Sequence, residues 1–121
     1  MREILFRGKD IAGNWHYGVP LIFTADYTCM TAPHTYNKSV IPATVGQFTG
    51  LTDKNGKKIF EGDILNGSWN AILIVFYDDI SSSYRVKTST GYEREPSYYG
   101  IDKLEVIGNI HDNPEFLEVK E

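Results

Sequence analysis

The stretch from residue 47 to residue 65 constrains the fold more than any other part of the sequence. At its centre, Asn55 and Gly56 are residue types that tolerate the positive φ angles of a tight turn. Apolar residues lie on both sides of this dipeptide, so the flanking runs can pair as antiparallel strands and bury a common face. The sequence therefore predicts a β-hairpin with Asn55-Gly56 at its tip and a second bend at residues 61–63.

The rest of the chain consists mostly of short apolar or alternating runs separated by glycine, proline and polar clusters. Residues 2–7 alternate as in a half-buried strand, and residues 15–19 and 21–23 are typical of two further short strands. Residues 71–77 are continuously apolar, as expected for a strand buried on both faces. The last predicted strand covers residues 104–110. The amino-acid pattern as a whole predicts a mainly β protein with little helix.

These elements predict a compact antiparallel barrel or a strongly bent sheet, of which an SH3-like barrel is one form. The residues expected to fill its core are apolar and lie in the predicted strands and the central hairpin. They are Phe6, Phe48, Leu51, Ile59, Phe60, Ile64, Leu73, Val75 and Ile107.

The charge and the cysteine content limit the classes of function. The chain carries 12 basic and 16 acidic residues, a formal net charge of −4, which argues against non-specific binding to duplex nucleic acid. Cys29 is the only cysteine and cannot form an intramolecular disulfide, so we interpret it as a small buried apolar residue. No apolar run is long enough to span a membrane. We therefore expect a single domain over residues 1–121, located in the cytoplasm.

Four segments of this sequence resemble the YopX family of phage and prophage proteins. The first is Leu-Phe-Arg-Gly-Lys at residues 5–9. The second is Thr-Val-Gly-Gln-Phe-Thr-Gly-Leu at residues 44–51, followed by Asp-Lys-Asn-Gly. The third is Ile-Phe-Glu-Gly-Asp-Ile at residues 59–64, and the last is Glu-Val-Ile-Gly-Asn-Ile at residues 105–110, which precedes Asn-Pro-Glu. Their order and spacing agree over nearly the whole chain.

This resemblance implies a small, mostly β, phage-encoded protein with no established activity, cofactor or catalytic residue. The sequence departs from the family pattern just before the hairpin. Family members tend to carry an acidic Asp-Pro-Glu-Thr segment where this chain has Ile-Pro-Ala-Thr at residues 41–44. Any role of those carboxylates is therefore absent here.

We predict no catalytic, cofactor or metal site from the sequence. The only histidines are His16, His34 and His111, and none of them forms a metal-ligand motif with another. An acid–base or metal site would require the fold to bring a histidine to a carboxylate. The carboxylates considered for this role are Asp78, Asp79 and Asp112. The four glycines around the hairpin also lack the spacing of a phosphate-binding loop and are expected to shape bends.

Three interpretations of function remain open. The leading one is a non-enzymatic phage or prophage accessory protein that binds a host or phage protein. The first alternative is a nucleic-acid-binding module that uses the lysines of the hairpin tip for charge and tyrosines elsewhere in the chain for stacking. These residues are Lys54, Lys57 and Lys58, with Tyr92, Tyr98 and Tyr99. The second alternative is a small enzyme that combines His34 or His111 with an aspartate.

Self-association is also expected, because a small β domain has a limited core and free strand edges. Aromatic residues are enriched at the centres of protein interfaces. The aromatic candidates for contact with a partner are therefore Trp15, Tyr17 and Trp69.

Overall fold

The computed structural model describes residues 3–23, 28–31 and 38–117. The chain separates into two compact units, Met1–Phe48 and Thr49–Glu121, and each unit is described by itself. A single domain over residues 1–121 stays a prediction. The helical residues in the described ranges form only short 3₁₀ turns. They are Pro42–Thr44, Ser68–Asn70, Pro96–Tyr99, Ile101–Lys103 and Pro114–Leu117. None of them is long and apolar enough to cross a membrane.

The first unit is an antiparallel sheet. Its strands are β1 (Phe6–Lys9), β2 (Trp15–Phe23), β3 (Thr28–Thr31), β4 (Lys38–Val40) and the beginning of β5 (Gly46–Thr52), in the order β4-β3-β2-β1-β5. The prediction of two separate strands at 15–19 and 21–23 is wrong, because β2 runs through both. Proline lacks an N–H and disturbs regular pairing, and the register of β2 with β3 shifts between Pro20 and Ile22. The irregularity accommodates Pro20 without ending the strand.

The second unit contains the predicted hairpin and a five-stranded antiparallel sheet. The strands of the second unit are the remainder of β5, β6 (Lys58–Phe60), β7 (Asp63–Asn66), β8 (Ile72–Asp78), β9 (Ser83–Lys87), β10 (Glu93–Arg94) and β11 (Glu105–Asn109). Strands β5 and β6 pair, and the sheet has the order β10-β9-β8-β7-β11. The mainly β fold is confirmed. The strand orders among the described residues do not close into a ring, so the barrel remains unconfirmed.

The central hairpin forms as predicted, with Gly56 at its tip at a φ of 81°. The Asp53 N–H donates to the Lys57 carbonyl at 2.8 Å, and the Gly56 N–H donates to the Asp53 carbonyl at 2.9 Å. Three residues therefore form the loop, and only Gly56 among them adopts the left-handed conformation. This is the type I turn with a left-handed glycine that is common in three-residue hairpin loops.

Replacing Gly56 by valine should lower the free energy of unfolding by more than about 1 kcal/mol, because a β-branched residue resists a positive φ. A Cβ atom at this position would have no heavy atom within 4 Å, so the cost comes from the backbone rather than from a clash. Urea denaturation monitored by circular dichroism measures the change. Gly56→Asn is the matched control and should lose less, because asparagine tolerates the left-handed region. Equal losses in the two variants would contradict this account.

The Asp53 carboxylate stabilises the hairpin loop by accepting hydrogen bonds from backbone N–H groups. Its Oδ1 accepts the backbone N–H groups of Asn55 and Lys57, each at 2.9 Å, and its Oδ2 accepts the Val106 N–H at 3.0 Å. Burial raises the pKa of Asp53, but the three N–H donors and the charge of Lys57 together lower that pKa below 3.8. Asp53 therefore joins the hairpin loop to β11 as an ionised group.

The second bend, at residues 61–63, is also confirmed. Gly62 has a φ of 89°, and the Asp63 Oδ2 accepts the Phe60 N–H at 2.7 Å. The Gly62 N–H donates to the Val75 carbonyl, and the Gly62 carbonyl accepts the Ile110 N–H, both at 2.9 Å. The bend is therefore connected to strand β8 on one side and to the end of β11 on the other.

The core prediction is correct for six of its nine residues, which are buried. They are Phe48, Ile59, Phe60, Ile64, Leu73 and Val75. Phe6 and Leu51 are half-buried. Ile107 is exposed, and its prediction as a core residue is wrong. Val106 pairs with Leu65 and Gly108 pairs with Ile64, so Ile107 is the extra residue of a β-bulge. The bulge places Ile107 outside the regular pairing of β11 with β7.

Candidate interaction surface

Trp69 lies in an exposed turn between β7 and β8, with a backbone conformation that is unusual for a bulky residue. Its φ is 63°, and the next residue, Asn70, has a φ of 53°. The Trp69 side chain nevertheless remains 75% exposed. A bulky residue in the left-handed region costs about 1–2 kcal/mol, and such strain tends to occur at functional sites. The turn therefore holds an indole on the surface at an energetic cost.

Two tyrosines from the 3₁₀ turn Pro96–Tyr99 pack against this indole. The ring centroids of Trp69 and Tyr98 are 5.7 Å apart and the planes are inclined by 53°, while Tyr99 meets Trp69 edge-on at 6.1 Å. Tyr98 is 54% exposed, but Tyr99 is buried and belongs to the core of the second unit with Leu73 and Leu104. Tyr99 thus connects an exposed aromatic pair to the rigid interior.

Arg94 completes the cluster. Its guanidinium carbon lies 5.2 Å from the centroid of the Tyr98 ring, which is a cation–π distance, and its Nη1 donates to the Glu93 carbonyl at 2.9 Å. Arg94 therefore supports one face of Tyr98. We use the term aromatic surface for the exposed side chains of Trp69, Arg94 and Tyr98.

Close packing beneath the aromatic surface requires glycine at position 67. A Cβ atom on Gly67 would lie 2.9 Å from the Tyr99 Cβ and 3.2 Å from the Leu73 Cδ1. Real Cβ atoms do not approach a buried neighbour so closely without displacing it. Gly67 therefore allows Tyr99 to reach the core.

The hairpin-tip lysines Lys54, Lys57 and Lys58 are all exposed, as the nucleic-acid interpretation requires. However, the Lys54 Nζ lies 3.8 Å from the Glu105 Oε2, and the same oxygen accepts the Asn55 Nδ2–H at 3.2 Å. Exposed ion pairs of this kind contribute little stability, but they reduce the positive potential of the tip. The tip therefore has a mixed charge rather than a basic stripe.

Trp15 and Tyr17 lie two residues apart on β2 and therefore share a face of the first unit. The Arg7 guanidinium carbon lies 4.7 Å from the Trp15 ring centroid, and the Lys9 Nζ lies 5.9 Å from it. The half-buried Trp15 ring thus already has cationic neighbours, whereas Tyr17 is 46% exposed. Their proposed role in partner contacts stays a prediction.

A histidine–carboxylate pair does form, but between residues that the sequence analysis did not combine. The His16 Nε2 lies 2.8 Å from the Asp10 Oδ2, and the Asp10 Oδ1 accepts the N–H groups of Ala12 and Asn14. The hydrogen bond from His16 and those from the turn lower the pKa of Asp10 to about 2. The signal in the sequence was an aspartate that opens the turn between β1 and β2, with a histidine at the beginning of the returning strand. Asp10 mainly stabilises that turn.

Among the other predicted histidine and aspartate candidates, His34 lies outside the described residues. Asp78 accepts the Ser81 hydroxyl at 2.6 Å, which lowers its pKa and caps the turn after β8. Asp112 accepts the Asn109 Nδ2–H at 3.0 Å, and the His111 N–H donates to the Asn109 Oδ1. In the parts of the chain that the structure describes, no three His, Cys, Asp or Glu residues form a group that could hold a metal. Cys29 is buried, as expected.

The aromatic surface could be foreseen only in part. Trp69 was predicted as an interaction residue and Tyr98 as a stacking residue, but in two different hypotheses. Arg94 was missed altogether. The three side chains come from the turn before β8 and from β10 with the 3₁₀ turn that follows it. These segments are far apart in the sequence, and no local pattern indicates that they meet.

Comparison with known proteins agrees with the resemblance found in the sequence. A family model described as YopX protein matches residues 8–118. Among solved structures, the chain is similar to the crystal structure of protein EF1440 from Enterococcus faecalis, with a TM-score of 0.64 and 26% sequence identity. This similarity covers 98% of the chain and 100% of EF1440. No curated protein matches the chain.

Proposed function

The chain belongs to the YopX family, and on that premise we propose that it is a non-enzymatic phage or prophage accessory protein that binds a protein through the aromatic surface. The proposed partner is a host or phage protein, and the proposed location is the host cytoplasm. The observation that carries the proposal is the exposed Trp69 indole, held in a left-handed turn and packed on Tyr98. Tryptophan, tyrosine and arginine are the residues most enriched among interface hot spots.

The charge distribution favours a protein over a nucleic acid as the partner. Binding to a phosphate backbone depends on a concentration of positive charge. The chain has a net charge of −4, and Lys54 lies beside Glu105 rather than in a basic stripe. These features support protein binding and make nucleic-acid binding the alternative outcome of the experiment below.

Replacing Trp69 by asparagine should abolish capture of the partner while leaving the protein folded. Asparagine tolerates the left-handed conformation, so the variant removes the indole and keeps the turn. Relief of about 1–2 kcal/mol of strain offsets the loss of aromatic contacts worth about 0.5–1.5 kcal/mol. The free energy of unfolding should therefore change by less than about 1 kcal/mol. The measurement is affinity capture of the tagged full chain from infected or induced cells, with nuclease-treated and untreated lysates compared by mass spectrometry.

Tyr77→Thr is the matched control. Tyr77 is 41% exposed and packs edge-on against Tyr84 at a centroid distance of 5.1 Å, but it lies on β8 and outside the aromatic surface. Threonine keeps the preference for a strand and removes the ring. A defined partner that survives nuclease, persists with Tyr77→Thr and is lost with Trp69→Asn supports the proposal. Recovery of nucleic acid alone, or equal capture by both variants, contradicts it.

A further inference from the structure

We infer that the aromatic surface binds an extended, proline-rich segment of the partner protein that carries a basic residue next to its prolines. This inference rests on the proposed function and names the chemistry of the segment that the partner would present. It depends on the inclination of the two rings, on the hydrogen-bond donors that they carry and on the charges around them.

The Trp69 and Tyr98 rings have a geometry that suits a polyproline II helix. The planes of Trp69 and Tyr98 are inclined by 53°, so the pair does not offer the parallel faces on which successive bases stack. A polyproline II helix has three residues per turn, and its neighbouring proline rings point in different directions. Two inclined aromatic faces can therefore contact two such rings at once. Arg94 on Tyr98 and the buried Tyr99 beneath Trp69 hold these faces in place.

The aromatic surface also carries hydrogen-bond donors that suit such a segment. A polyproline II segment makes no internal hydrogen bonds, and its carbonyl oxygens remain available as acceptors. The exposed side chains of Trp69 and Tyr98 carry an indole N–H and a phenol O–H, which are donors suited to those carbonyls. Proline-rich segments are in general recognised by aromatic-lined surfaces of this composition, because little conformational entropy is lost on binding.

The charges in the segment that carries Tyr98 complement a basic ligand. Residues 92–103 contain three carboxylates, Glu93, Glu95 and Asp102, and two cations, Arg94 and Lys103. All five residues are exposed, and the Arg94 guanidinium lies against the Tyr98 ring. The segment therefore carries a formal excess of one negative charge, three carboxylates against two cations. This charge attracts an arginine or lysine of a ligand and repels a phosphate.

The experiment follows the indole N–H signals of the isotope-labelled full chain by NMR. The chain contains only two tryptophans, so the signal that disappears in Trp69→Asn belongs to Trp69. The probes are a short oligoproline peptide flanked by arginines, the same peptide flanked by glutamates, an oligoalanine peptide flanked by arginines, and a single-stranded oligothymidine. We expect the arginine-flanked oligoproline to shift the Trp69 signal, and the glutamate-flanked form to bind about threefold to tenfold more weakly.

Trp69→Asn should weaken binding of the arginine-flanked oligoproline by about tenfold or more, measured from the backbone amide signals of Arg94 and Tyr98 because this variant lacks the Trp69 indole, while Tyr77→Thr should leave binding unchanged. The inference is overturned if this peptide shifts neither signal at about 1 mM, the weak end of measurable affinity, or if oligothymidine or oligoalanine binds as well. A Trp69 signal that depends on the concentration of the protein alone would indicate a second copy as the occupant and would also overturn it. If the peptide fails but Trp69-dependent capture of a partner succeeds, only this inference falls and the proposed function stands.

Discussion

Phe60→Ala should lower the free energy of unfolding by about 3–5 kcal/mol, since it removes a buried aromatic ring from a packed interior. Phe60 is only 4% exposed, although its neighbour Ile59 is also buried. Consecutive strand residues point to opposite faces, so burial of both means that β6 is covered on each side. Chemical denaturation of the purified variant measures the loss.

Two further variants serve as controls for this prediction. Phe60→Leu keeps much of the apolar volume and should cost less than about 1.5 kcal/mol. Ile80→Ala changes a side chain that is 97% exposed, and should stay within about 0.5 kcal/mol of the wild type. A loss well under 1 kcal/mol for Phe60→Ala would mean that this ring does not pack in the interior.

Asp53→Ala should lower the free energy of unfolding by about 2–4 kcal/mol, because three backbone N–H groups lose a charged acceptor at once. The donors are those of Asn55, Lys57 and Val106. Water can replace the carboxylate at the exposed residues of the loop. We therefore expect a loss of stability smaller than the sum of three charged hydrogen bonds. Denaturant unfolding of the variant tests the value.

The pH dependence of stability distinguishes the contribution of the Asp53 charge from that of its side-chain shape. The folded-state pKa of Asp53 lies below 3.8, so its contribution to stability is present above pH 3.8 and is lost as the pH falls through the folded-state value. The isosteric Asp53→Asn variant lacks this titration. The difference in stability between wild type and Asp53→Asn should therefore shrink below pH 3.8. A difference that stays constant over this range would show that the ionised carboxylate contributes nothing.

Local features of the fold were predictable because few residues determine them. The turn at Gly56 follows from one residue type that adopts a positive φ without steric cost. The bend at Gly62 likewise follows from a glycine. Strand β8 follows from a continuous apolar run, although Tyr77 near its end is 41% exposed. The positions that could not be predicted depend on pairing between distant segments. Ile107 became exposed because a bulge shifted the register of β11 against β7, and the sequence of β11 alone contains no signal of that bulge.

The candidate site also has a part that could be predicted from residue type and a part that depends on tertiary packing. Trp69 was identifiable by residue type alone, since aromatic residues are enriched in interfaces. The strained backbone of Trp69 could not be predicted, because Ser-Trp-Asn at 68–70 has no glycine to mark a left-handed turn. The contact of Trp69 with Tyr98 depends on how two turns pack over Tyr99, and tertiary packing of this kind leaves no periodic pattern in the sequence.

The hydrogen bonds of Asp53 span very different lengths of chain, and this sets the order in which they can form during folding. Asn55 is two residues away and Lys57 four, whereas Val106 is 53 residues away. Closing the short loops costs little entropy, and a hairpin forms in about 1–10 μs, but the entropy cost of closure rises with the length of the loop. The Asp53 carboxylate can therefore organise the hairpin loop early and engage β11 only after the rest of the second unit has collapsed. One side chain thus links a fast local step of folding to the slow formation of tertiary structure.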